Sequence, residues 1–199
     1  MITTLMIVAL ILAATRLALF LTLHIVGRAH YSPVKHAVSD YAVGPTRRLA
    51  SAMNAVTAAL FATLAAAVLW GYPNWTSHTS TSIYLLVLSV IFLVLPALPT
   101  DLEGDKATLI GRAHMVAAIA WFALSYTLTG RFAQLVADSG NALSGALRAL
   151  NIIAMVSLIA LVIALLPKLR ARFFGIAERV FLVAISLFFL VLPIALLVQ

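Results

Sequence analysis

The sequence predicts an all-α integral membrane protein in which residues 1–199 form one domain, a single bundle of six transmembrane helices with both termini outside. Three observations carry that prediction. Apolar side chains make up 64% of the 199 residues and charged ones only 10%, more hydrocarbon than a water-facing surface tolerates. Six segments are apolar over roughly 20 residues, the length that covers about 30 Å of hydrocarbon at about 1.5 Å per residue. Nearly all the polar chemistry falls into three short blocks, Arg28 to Arg48, Thr100 to His114 and Lys168 to Arg179, which follow the first, third and fifth segments. A chain that crosses the bilayer at every helix must place those three blocks on the same side.

The first segment, Ile2 to Val26, lacks a basic leading region and is too long for a cleaved signal, so it reads as a retained span. Leu49 to Trp70 forms the second. The connection Gly71 to Ser80 carries no formal charge and contains Tyr72 and Trp75, the composition of an outer interfacial turn. Thr81 to Leu98 is the shortest span, stopped or kinked by Pro96 and Pro99. Thr108 to Thr129, Leu143 to Leu166 and Phe173 to Leu197 complete the set. No stretch alternates as a barrel strand would.

Ten of the thirteen lysines and arginines lie in the three polar blocks, which sets those blocks in the cytoplasm and makes the chain a multi-pass protein of the cell (plasma) membrane. The net charge of +7 points to anionic membrane lipids as partners and away from nucleic acid, because the basic residues flank apolar spans and form no soluble basic face. A homo-oligomer is compatible with such a bundle. With no cysteine, the chain has no disulfide, thiolate nucleophile, cysteine-bound zinc or iron–sulfur cluster.

Inside the spans the informative groups are those that hydrocarbon rejects. Arg16 lies near the middle of the first helix, where a charge costs at least about 2.5 kcal/mol and must face a counter-charge, water or the bundle interior. Asn54 and Asn151 are further buried polar candidates. On the fourth helix Thr108, Gly111, His114, Ala118 and Ser125 share one narrow small-and-polar face, and on the second Ser51, Asn54, Ala58, Ala62 and Ala65 make a comparable stripe. Such stripes let helices approach closely without any chemistry, which accounts for most of these positions but not for His114.

The polar blocks hold His30, His36, Asp40, Asp101, Glu103, Asp105, His114 and Glu178. Glu103 and Asp105 read as solvated loop acids. Asp40 lies between a helix exit and the turn at Gly44, Asp101 follows Leu98-Pro99-Thr100 at the mouth of the bundle, and Glu178 suits the positive end of the sixth helix.

The run from Arg28 to Gly44, which includes Ser39-Asp40-Tyr41, resembles the first-loop signature of the bacterial and archaeal membrane family known as domain of unknown function 998. Pro99 to Gly104 followed by Thr108, Gly111 and His114 resembles its second motif, and Gly175 to Arg179 its third. Where that family usually has glutamate after the loop serine, this chain has Asp40, which keeps the charge and shortens the reach. The resemblance implies six helices in one bundle and no assigned activity. Ser39-Asp40 with Gly44-Pro45, His114 and Glu178 also bear a distant similarity to the Frag1, DRAM and Sfk1 group of six-helix proteins, which are associated with lipid remodelling, autophagy and phospholipid asymmetry.

The function expected from these features is a cytoplasm-facing polar cleft that binds a lipid head group or similar amphiphile. In it Arg28, Arg112 and Arg179 pair with phosphate, and His114, Asp40, Asp101 and Glu178 hold the arginines and shape the cleft. One alternative is a membrane-embedded hydrolase or transferase with His114 as base and Asp101 as its orienter, or with His30 or His36 joining a zinc site. Others are a bis-histidine haem protein using His24 and His114, and a small-solute transporter using Arg16, Asn54 and Asn151. The sequence contains no compact metal-ligand motif, so no metal site and no resident cofactor is assigned.

Overall fold

The computed structural model describes residues 1–102, 106–138, 140 and 142–198, with the side chains of 167, 168 and 170–172 outside that description. Six helices form: α1 Ile2–Gly27, α2 Arg47–Gly71, α3 His78–Val94, α4 Leu109–Asp138, α5 Ser144–Ala164 and α6 Pro167–Leu197. Each is long and apolar enough to cross a membrane, α3 together with the 3-10 turn that continues it to Ala97, and the described residues include no strand. The chain is therefore an all-helical, multi-pass membrane protein.

Two helices run past their expected ends. α4 continues beyond Thr129 to Asp138. The Gly130-Arg131 pair reads as a span end, yet the Arg131 guanidinium donates to the hydroxyls of Ser80 at 2.8 Å and Thr81 at 3.2 Å and lies 4.6 Å from the centre of the Tyr84 ring. Those partners on α3 satisfy the charge, so the helix need not stop where it begins. α6 starts at Pro167, where the missing N–H costs nothing at the first helical position, and so takes Lys168 to Arg172 into its first turns. α3 ends as its prolines require, passing at Val94 into a single 3-10 turn, Leu95–Ala97.

The helices stand in a ring in chain order, each packing on the next, with α6 closing back on α1. Aromatic side chains plug the centre. Phe61 of α2 meets Phe92 of α3, Trp121 of α4 and Phe189 of α6 at ring-centroid distances of 5.9, 6.1 and 5.2 Å. Phe92 and Trp121 stand edge to face at 4.9 Å. Within lipid, such packing and interhelical hydrogen bonds replace hydrophobic collapse as the force between helices. One such bond runs from the Ser89 hydroxyl of α3 to the Ala58 carbonyl of α2 at 2.9 Å. Large aliphatic side chains such as Ile11, Val90, Ile119 and Val156 are left on the outer surface, as a lipid solvent requires. Of the small stripe on α2, Asn54, Ala58 and Ala65 face inward, but Ala62 is exposed.

The connection from α1 to α2 folds back over one end of the ring. Gly27 ends α1 and packs so closely on the Tyr41 ring that a Cβ there would lie 2.5 Å from its edge. Backbone bonds from His30 and Tyr31 to the Gly27 carbonyl turn the chain, and a short 3-10 helix, Val38–Ala42, follows. Asp40 caps that helix from its third position by accepting the Ala37 N–H at 3.1 Å, and Thr46 donates to the Tyr41 carbonyl at 2.6 Å.

Candidate functional site

Beneath this folded connection, at the end of the ring where the three polar blocks meet, is a cavity of about 150 Å³. Phe92 and Trp121 form its floor, the segment around Asp40 its roof, and α1, α2, α4, α5 and α6 contribute walls. Met115 and Ile119 of α4 and Leu165, just past α5, also line it, and these are 40%, 58% and 41% exposed on the outer flank of the bundle. The cavity thus reaches from the polar end of the ring to its lipid-facing side.

The four carboxylate and histidine candidates Asp40, Asp101, His114 and Glu178 all line this one cavity, as do Arg16 and Asn54. Glu178 accepts the Val38 N–H at 2.7 Å, which joins the start of the 3-10 helix to α6. His114 donates from Nδ1 to the Leu98 carbonyl at 2.7 Å, since a carbonyl can only accept. In the neutral ring that leaves Nε2 as an acceptor toward the cavity.

Asp101 serves the start of α4. Its Oδ2 accepts the Thr108 N–H at 2.9 Å and its Oδ1 the Thr108 hydroxyl at 2.7 Å, while Thr108 Oγ1 accepts the Gly111 N–H at 2.9 Å. Thr108 thus caps the helix, and its place in the small-and-polar stripe is that of a cap. The backbone bond and then the hydroxyl bond from Thr108 hold the Asp101 carboxyl below the usual carboxylate range, with the nearby His114 and Arg112 adding to the effect. His114 takes its orientation from Leu98, not from Asp101, so the base-and-orienter pair expected of a hydrolase is not assembled.

Arg16 is 5% exposed. It donates from Nη1 to the Ser186 hydroxyl of α6, and Ser186 in turn donates to the Leu182 carbonyl. The sequence required this charge to face the bundle interior, a counter-charge or water, and it faces the interior. Its partner is a neutral hydroxyl, and Arg16 also lines the cavity. Ser186 stands alone as a hydroxyl within the apolar run of α6, a signal that was present in the sequence.

The arginines expected to bind phosphate lie elsewhere. Arg28 and Arg112 are exposed, and neither they nor Arg179 line the cavity. Arg179 is a fastener for the connection: Nη1 donates to the carbonyls of Pro33 at 2.9 Å, His36 at 2.8 Å and Gly175 at 2.9 Å, and Nη2 to the Tyr41 hydroxyl at 3.2 Å. Its Nε donates to His24 Nε2 at 3.0 Å, while His24 Nδ1 donates to the Phe20 carbonyl at 2.8 Å. Both nitrogens of His24 are thereby engaged in hydrogen bonds. Among the described residues Lys35 joins Arg16 as a cation lining the cavity, and the sequence did not single it out as a binding residue.

His36 accepts the Ser32 N–H at its Nδ1, and His30 is exposed. Among the described residues no three histidine, aspartate or glutamate side chains are grouped so as to hold a metal ion. Asn151 accepts the Thr129 hydroxyl at 2.8 Å, away from the cavity. Glu103 and Asp105 lie outside the described residues, as do the side chains of Lys168, Arg170 and Arg172.

Fold and site together define a six-helix membrane protein with a polar cavity at one end of the ring. Residues 7–195 match the family described as Protein of unknown function (DUF998), and the chain belongs to it. No curated protein and no solved structure matches the chain.

Proposed function

We propose that this protein binds an anionic amphiphile, a membrane lipid by its head group, in the cavity beneath the first connection. The observation that carries this reading is Arg16. A guanidinium held within a span by a neutral hydroxyl, at the border of a cavity that reaches the lipid-facing flank, is a charge in search of an anion. Asn54 supplies a second donor from α2. Met115, Ile119 and Leu165 give acyl chains a path out of the same cavity. The basic residues of the three polar blocks support a cytoplasmic mouth and a cell-membrane location.

Native mass spectrometry of the detergent-released protein tests this. Phosphatidylglycerol should remain bound to the wild type and be weakened by about tenfold or more in Arg16→Gln, a loss of about 1.4 kcal/mol or more. Circular dichroism establishes that the variant is folded. Equal retention by folded wild type and Arg16→Gln removes Arg16 as the anchor and this reading with it.

A further inference from the structure

The roof of the cavity is fastened through a histidine that has to be neutral. His24 lies in the last turn of α1, its ring 4.4 Å from that of Phe20 and 5.2 Å from that of Tyr41. Its Nδ1 faces the Phe20 carbonyl at 2.8 Å, and a carbonyl only accepts, so the ring proton is on Nδ1. Its Nε2 faces the Nε–H of Arg179 at 3.0 Å, and a guanidinium only donates, so Nε2 presents a lone pair. The two neighbours thus select one tautomer of the neutral ring. An imidazolium carries N–H groups at both positions and cannot make this pair of bonds.

Arg179 passes that constraint to the roof. Its guanidinium is planar, so the bond from Nε to His24 sets the plane in which Nη1 reaches the carbonyls of Pro33 and His36 and Nη2 reaches the Tyr41 hydroxyl. A proton on His24 Nε2 sets two N–H groups and two positive charges against each other across 3.0 Å. The guanidinium then has to turn away, and its bonds to the connection go with it. The other links from α6 to the connection are the Glu178 carboxyl on the Val38 N–H and the Gly175 N–H on the Val34 carbonyl, and neither uses an imidazole.

Among the described residues, the charged and titratable side chains that meet His24 are Arg179 from α6 and Tyr41 from the 3-10 helix. Arg47 and Arg48, at the start of α2, are exposed. Asp40 and Glu178 accept backbone N–H groups of the roof, and a protonated carboxyl still accepts through its carbonyl oxygen. Tyr31 stands 4.8 Å from Tyr41, and His36 stands 5.9 Å beyond Tyr31. His36 is a second imidazole used as an acceptor, here by the Ser32 N–H at 2.8 Å, so a proton on its Nδ1 loosens a turn of the roof itself.

We propose that the first connection is a proton-sensitive lid on the cavity, latched while His24 is neutral and released when His24 takes a proton on Nε2. The lid works in this way whatever the cavity holds. A released ring titrates near the ordinary imidazole value of about 6.5, whereas the latched ring has no room for the proton. Latching is therefore complete above that value and is lost as the pH falls below it, with the ratio of released to latched chains rising about tenfold between pH 7.5 and pH 5.5.

Amide exchange of the full chain in detergent, followed by mass spectrometry at those two pH values, tests the lid. At each pH the wild type is compared with His24→Gln, whose amide oxygen accepts from Arg179 Nε and does not titrate, so the direct effect of pH on exchange cancels. On acidification the wild type should lose about tenfold in protection across residues 33–42 relative to His24→Gln, while α3 exchanges alike in both. His36→Asn, which keeps an acceptor for the Ser32 N–H, should retain most of the response. His24→Asn, too short to reach Arg179, should leave the connection poorly protected at both pH values, and it serves as the second variant if His24→Gln does not fold. A response as large in His24→Gln as in the wild type, or one that survives in His24→Asn, assigns the proton to another group and overturns the proposal. So does a wild type whose connection matches His24→Gln at both pH values.

Discussion

Asp101 occupies the space that a side chain on Gly111 would need. A Cβ at Gly111 would overlap the Asp101 carboxyl group, so the glycine and the acid are fitted to one another across the start of α4. Gly111→Ala should therefore push Asp101 off Thr108 and release the cap. The expected outcome is a lower melting temperature in detergent, although alanine at an ordinary helix site stabilises by about 0.5–1 kcal/mol over glycine. Thr108→Ala removes the same cap directly and should cost about 1 kcal/mol.

The same acid sets a pH dependence. Because hydrogen bonds from Thr108 depress the folded-state pKa of Asp101, its stabilising effect is fully present above the ordinary carboxylate value of 3.8 and is lost as the pH falls through the lower folded value. Melting temperatures of wild type and Asp101→Asn should differ at neutral pH and converge only on strong acidification. A difference that vanishes between pH 7 and pH 5 would rule out this source of stability.

Gly175 of α6 passes against the backbone of the first connection, where an added Cβ would lie 2.6, 2.7 and 2.8 Å from the carbonyl oxygens of Pro33, Val34 and His36. Backbone atoms cannot swing aside as a side-chain tip can. Gly175→Ala should detach the connection, and faster amide exchange across residues 33–42 together with a lower melting temperature is the expected result.

Arg179→Lys keeps the charge but cannot reproduce the fan of bonds from one planar guanidinium to the carbonyls of Pro33, His36 and Gly175. It should lose about 2 kcal/mol, the scale of one charge-assisted hydrogen bond. Hydrogen exchange should localise the loss to the connection and leave α3 and α4 protected.

Ser186→Ala deprives Arg16 of its hydroxyl. Thermal unfolding should show a loss of about 1–2 kcal/mol, the cost of leaving a buried donor less well satisfied. The variant should also bind anionic lipid more tightly, since the guanidinium then has only the ligand to pair with. Unchanged stability and unchanged lipid retention would show that this bond contributes nothing.

What could be read from the sequence divides along physical lines. The six spans are visible because each is a continuous apolar run, and the end of α3 because Pro96 interrupts the helix. The meeting of Asp40, Asp101, His114 and Glu178 follows from crossing number alone, since alternate connections return to one side. Arg16 is conspicuous as a lone charge among apolar residues, but its partner is 170 residues away and no local pattern names it. Arg179 misleads for a related reason. Its acceptors are mainly backbone carbonyls, which every residue has, so nothing in the sequence distinguishes a fastener from a phosphate ligand. The far end of α4 was hidden because Arg131 looks like a boundary until Ser80, Thr81 and Tyr84 are seen beside it.

The roof of the cavity comes from residues between the first and second spans, yet it is held by Gly175, Glu178 and Arg179 at the head of the last one. A nascent chain leaving the insertion machinery therefore carries its lid long before it has anything to latch it to. Closure has to wait until synthesis reaches the final span, so the chamber becomes competent only in the finished polypeptide.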